Sequence, residues 1–158
     1  LEQKDGKKYR ADKVNHVFSE GISSLTLNLE KAYTEAAHVD KWQRTIALDR
    51  EYNWVEITEQ YKLDSLQIEK NQLNGQVFDN QIILMAFGKP VMQKAGRILL
   101  QGGNVRLEYD AQYLSASVEK VQMTDGIMKT QWNDNVYRII LRLNDNYPMA
   151  KVKYRFVK

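Results

Sequence analysis

The sequence predicts an all-β fold, an antiparallel β-sandwich of about ten or more short strands with little helix. Three observations carry this expectation. Apolar and polar residues alternate with period two in run after run, glycine-bearing turn signals separate the runs at hairpin spacing, and no apolar stripe of helical period persists over three turns. With 158 residues, 43% hydrophobic and 27% charged, the chain is long enough to bury a sizeable core without disulfides or metals. We therefore expect residues 1–158 to form a single β-sandwich domain, since no linker, low-complexity tract or internal repeat marks a boundary.

The elements follow in order. Residues 11–18 form a first strand run, and Leu25, Leu27 and Leu29 then alternate with Thr26, Asn28 and Glu30, the pattern of a strand with one buried face. Lys31–His38 is long enough only for a helical turn. Runs at 41–49 and 54–63 read as strands, and Ser65–Leu73 is ambiguous between strand and helix. Asn74-Gly75 marks a turn before 82–87, which is apolar on both faces and is expected to be a central strand. A run at 96–101 leads to the turn Gly102-Gly103-Asn104, after which Val105, Leu107 and Tyr109 alternate with Arg106, Glu108 and Asp110. Strands at 116–123 and 136–143 flank Asp125-Gly126, read as a hairpin turn. In the last strand Val152, Tyr154 and Phe156 alternate with Lys151, Lys153 and Arg155. Pro90 and Pro148, the chain's two prolines, fall between or at the edges of runs, as a missing backbone donor requires.

Charge and composition exclude several functions. The formal net charge is +3, but Lys151, Lys153, Arg155 and Lys158 supply the excess as the solvated side of one strand. Without them acids and bases nearly cancel, unlike the dispersed basic surface of a nucleic-acid binder, so no nucleic-acid partner is expected. The longest apolar run, Ile82–Phe87, is too short to cross a bilayer, and no membrane partner is expected either. The absence of cysteine removes thiol nucleophiles, zinc fingers and iron–sulfur sites. The chain starts at Leu1 without a signal-peptide pattern and contains no Asn-x-Ser/Thr sequon, so we expect a fragment or a processed product.

Few residues point to catalysis. His16 in the first strand run and His38 after a polar loop are the two histidines, too few for a histidine-rich metal site, and no nucleophile-elbow motif accompanies them. Phosphate-binding glycine loops, dinucleotide fingerprints, calcium loops and zinc-protease motifs are absent. Acid pairs such as Glu56 with Glu59, or Asp134 with Asp145, could serve a glycosidase only if space brings them to the right separation. The aromatics offer more. Three tryptophans and nine tyrosines on a sheet scaffold supply rings that either stack on sugars or fill a core; Trp42 and Trp54 read as packing residues, and Trp132 is open to either role.

Four stretches resemble the C-terminal sheet domain of the heparinase II/III-like polysaccharide lyases, especially those of gut-dwelling Bacteroidetes. They are Leu1–Gly6 with Tyr9-Arg10-Ala11; Trp42-Gln43-Arg44 with Ile46–Arg50, Val55-Glu56-Ile57 and Tyr61-Lys62-Leu63; Leu107–Asp110 with Val118-Glu119; and Trp132 followed by Val136–Leu141. The resemblance covers most of the chain, through the order and spacing of weak strand motifs. It implies a parent enzyme with an upstream α/α-toroid, exported or periplasmic, that cleaves uronic-acid-containing glycosaminoglycans by β-elimination. In that reaction a base removes the proton at C5 of the uronate, a neutralising group stabilises the carboxylate and an acid protonates the leaving oxygen.

The family's base and acid motifs have no match here, so the resemblance gives no residue of this chain a catalytic role, and it implies no cofactor or metal site. The fragment alone is expected to be inactive, serving as a structural wall of the substrate cleft. The family segment that precedes Leu1 is also absent, which leads us to expect an unpaired sheet edge, or one covered by another copy, near residues 11–30. The expected partners are the toroid and an acidic polysaccharide. A basic wall would attract such a polymer, and Arg44, Arg50 and Arg138 are its candidates, although arginines in strands also pair with acids across a sheet. The competing expectation is an independent carbohydrate-binding module with Trp132, Tyr109 and Tyr113 as its sugar platform, or an adhesive scaffold. Aligned, solvent-facing rings favour the module, and burial of the tryptophans favours the wall.

Overall fold

The structure, a computed structural model, describes residues 6–64, 69, 80–100, 104–145 and 148–158. Among these, eleven strands form two antiparallel sheets, of eight and three strands, with one short α-helix. The all-β sandwich class expected from the alternation is the class found. The chain divides into two compact units, residues 1–78 with 147–154, and residues 79–146 with 155–158.

The first unit is a meander of β1 (Asp12–Phe18), β2 (Ile22–Asn28), β3 (Val39–Asp49) and β4 (Trp54–Leu63), with residues 149–154 of β11 (Met149–Val157) beside β4. Two single 3-10 turns, Glu30–Ala32 and Glu35–Ala37, stand where one helical turn was expected. Register sorts the side chains onto two faces, because successive residues of a strand point opposite ways. One face stacks the rows Ser23, Leu48, Val55; Leu25, Ile46, Ile57; and Leu27, Arg44, Glu59. The other carries Thr26, Thr45 and Thr58, and the Thr26 and Thr45 hydroxyls lie 3.0 Å apart. Burial on the apolar face decays towards β1: Ile57 is 9% exposed, Leu48 38% and Phe18 75%. β1 is the edge strand of its sheet, and a register shift between Asp12 and Asn15, with Lys13 at φ 46°, interrupts that edge. Such a bulge makes an open edge a poor template for a further strand.

The second unit contains the three-stranded sheet β5 (Gln81–Ala86), β10 (Asn135–Leu143) and β9 (Leu114–Gln122), in that order, and the run β8 (Arg106–Tyr109), β7 (Arg97–Leu99), β6 (Val91–Lys94). Its core is supplied from both: Ile98 and Leu107 from one, Leu114, Ile139 and Leu141 from the other are the largest fully buried side chains. The helix α1 (Gly126–Trp132) joins β9 to β10.

Two expectations are corrected here. The run 82–87 is not central: β5 is an edge strand, with Ile83 51% and Met85 57% exposed, and β10 holds the middle. Asp125-Gly126 does not reverse the chain as a hairpin; the Asp125 carboxylate accepts a hydrogen bond from the Met128 amide at 2.9 Å and caps α1. Aspartate serves both chemistries, since its side chain satisfies orphan amides at a helix start as readily as in a turn. Ser65–Leu73, Asn74-Gly75 and Gly102-Gly103 fall largely outside the described residues.

Gly96 is required between β6 and β7. Its φ is +82°, and a Cβ there would stand 2.8 Å from the Tyr109 carbonyl oxygen, while its own carbonyl accepts from the Tyr109 amide at 3.0 Å. Gly96→Ala should cost about 2 kcal/mol through backbone strain and that clash. Urea denaturation checks it, and a loss below about 0.5 kcal/mol would show that the turn relaxes freely.

Candidate functional site

The most constrained polar cluster lies on the first unit's apolar face. The β3–β4 hairpin places Arg44 directly opposite Glu59 and Trp42 opposite Tyr61. Glu59 is 2% exposed, and burial of a carboxylate demands compensation. Arg44 Nε and Nη2 each donate to Glu59 Oε1 at 2.7 Å, Trp42 Nε1 donates to Oε2 at 2.8 Å, and the Tyr154 hydroxyl donates to Oε1 at 3.4 Å. Tyr33 stacks on Trp42 at 5.1 Å, and the Arg44 guanidinium carbon sits 5.8 Å from the Trp42 ring. Arg44 thus follows the structural alternative, pairing with an acid across the sheet. Its positive charge is neutralised by Glu59, and the cluster is a brace that locks β3, β4 and β11.

Burial, reinforced by the charge of Glu59, pushes the Tyr154 phenol well above its ordinary value. The folded state therefore keeps a proton that the unfolded chain releases at about pH 10. This contribution to stability is complete below that pH and fades as pH rises beyond it. The urea midpoint should fall above about pH 10, and fall less in Tyr154→Phe; identical alkaline profiles would exclude the effect.

The other candidates are scattered. Arg50, exposed just past β3, donates to the Ser23 hydroxyl at 2.9 Å and to the Ser19 carbonyl at 3.5 Å. Both partners are neutral, so Arg50 keeps its charge. Arg138 is ion-paired with Glu119, its direct cross-strand neighbour on β9. Tyr109 is 9% exposed and belongs to the core, whereas Trp132 and Tyr113 are 42% and 49% exposed. The β9–β10 register, running from Leu114↔Leu143 to Gln122↔Asn135, puts Tyr113 and Trp132 at opposite ends of the hairpin, roughly 26 Å apart along the strands. The three rings form no platform. The acid pairs separate likewise: Glu56 points to the face opposite Glu59 and accepts from Lys153 at 2.9 Å, and Asp134 and Asp145 flank the two ends of β10.

His16 packs 5.1 Å from Phe18, and His38 ends a 3-10 turn at φ 51°. Among the described residues no group of three or more His, Asp or Glu side chains could hold a metal ion, and no helix is long and apolar enough to cross a membrane.

The fold defines a class, an antiparallel sandwich in which the polar clusters described above brace neighbouring strands. The particular likeness is to the heparan sulfate lyase HepC of Pedobacter heparinus: the structures superpose with a TM-score of 0.57 at 12% sequence identity, over 94% of this chain and 21% of that one. A mutant of the same lyase gives 0.57 at 11% identity, with the same coverage. The chain therefore shares the fold of one domain and spans about a fifth of that lyase's length. The fold implied by the sequence resemblance is the fold found. No family model matches the sequence, and neither does any curated protein.

Proposed function

We propose that this chain is a sheet domain of a polysaccharide lyase that acts by β-elimination on uronic-acid-containing glycosaminoglycans. It forms a structural wall beside the substrate, while an upstream α/α-toroid supplies the base and acid. The observation that carries this reading is the fold shared with a heparan sulfate lyase over nearly the whole chain. The internal arrangement supports the passive role: Arg44 and Arg138 are neutralised by Glu59 and Glu119, and the rings expected to bind sugar are buried or far apart. Of the three arginines, Arg50 keeps the charge with which a wall would attract an anionic polymer. The parent protein acts in glycosaminoglycan degradation and is exported or periplasmic.

The test follows the absorbance of newly formed unsaturated uronate with heparan sulfate, chondroitin and hyaluronan, for this chain and for the full-length gene product. Activity in the full-length protein alone is expected. Activity in this chain would overturn the passive role, and silence from both would overturn the lyase reading.

A further inference from the structure

Where β5 stops and β10 begins, the second unit holds a recess of about 440 Å³ lined by Phe87, Lys89, Asn133, Asp134, Asn135 and Tyr137. Its origin is the register: Ala86 opposes Tyr137, so the chain leaving β5 runs past the chain entering β10. Asn133 ends α1 at φ 60° and ψ −167°, a backbone region sparsely populated by side-chain-bearing residues.

The recess is rich in unused polar capacity. Asp134 has its carboxylate 3.6 Å from Lys129, and its carbonyl accepts from the Met123 amide. Lys89 Nζ, the Asn133 and Asn135 side-chain amides and the Tyr137 hydroxyl make no hydrogen bond or ion pair with the described residues. Phe87 stands 50% exposed beside them. Lys129 offsets Asp134, which leaves Lys89 as the net charge of the site.

We infer that this recess binds an anionic sugar residue. Amides, a phenol and a carboxylate suit the alternating donors and acceptors of ring hydroxyls, an aromatic ring offers a flat apolar surface, and an unpaired ammonium selects a carboxylate or sulfate. The inference rests on the proposed function only for the choice of an acidic glycosaminoglycan as probe; the recess and its free donors stand without it.

The test is amide-shift mapping and calorimetric titration of the 158-residue chain with hyaluronan, heparin and neutral chitin tetrasaccharides. Hyaluronan carries carboxylate alone and heparin adds sulfate, so binding of hyaluronan assigns the anion as carboxylate, and binding of heparin alone assigns it as sulfate. Either acidic tetrasaccharide should shift the amides of Lys89, Asn133, Asn135 and Tyr137. Lys89→Ala should weaken binding about tenfold, Lys89→Arg should retain it, and substitution of an exposed lysine on β6, Lys94→Ala, should leave it unchanged. Absence of shifts at these residues, equal binding of the neutral chitin probe, or an unchanged affinity in Lys89→Ala would overturn the inference. Lyase activity without recess binding sinks this inference alone, whereas recess binding in a protein without lyase activity sinks the proposed function alone.

Discussion

Glu59→Ala should destabilise the fold by about 3 kcal/mol, among the largest effects of any single polar substitution in this chain. The carboxylate accepts from Arg44, Trp42 and Tyr154 while lying 2% exposed. Its removal strands a guanidinium and two further donors against an apolar face. The guanidinium side chain is 33% exposed, so water reaches part of it, which holds the estimate at the lower end of the range for broken buried pairs. Glu59→Gln keeps an acceptor for Trp42 and should cost about half as much. Replacing both ionic partners, Arg44→Leu with Glu59→Leu, should recover part of the loss, because no buried charge is then left alone. Urea midpoints for the three variants decide the matter: a loss under about 1 kcal/mol in Glu59→Ala would mean that the network is decoration.

That network was half legible in the sequence. Strand 54–63 is found with the bounds that alternation gives it, because hydrophobic period two is strong where one face is buried and the other solvated. Once residues 50–53 form the turn, Asp49 opposes Trp54, and counting outward places Arg44 against Glu59. The resulting ion pair therefore had a signal in the spacing. β5 misled for a physical reason: Ile83 and Met85 are apolar and exposed, and composition cannot tell an uncovered face from a covered one. β6, four residues exposed throughout, carries no alternation to read. The helix α1 is seven residues long, too short for a helical period to stand out in the sequence. The recess was invisible because its two walls lie more than forty residues apart, and only the Ala86↔Tyr137 pairing brings them together.

Leu141→Ala should cost the second unit about 3 kcal/mol, the transfer free energy of the lost side chain plus the cavity it leaves. Leu141 is 0% exposed and sits mid-strand on β10, opposed by Ile82 on β5 and Ala116 on β9. Paired on both sides by backbone hydrogen bonds, β10 has little room to shift into the void, and small Ala116 offers no long side chain to fill it. The neighbouring edge strand supplies the control. Ile83, 51% exposed, removes little area from water, so Ile83→Ala should cost below about 1 kcal/mol although the deleted atoms are the same in kind and number. Thermal or urea unfolding of the pair separates burial from chemistry. Equal losses at the two positions would show that the β5 face is covered in solution, and a loss below about 1 kcal/mol in Leu141→Ala would show that β10 does not hold the core.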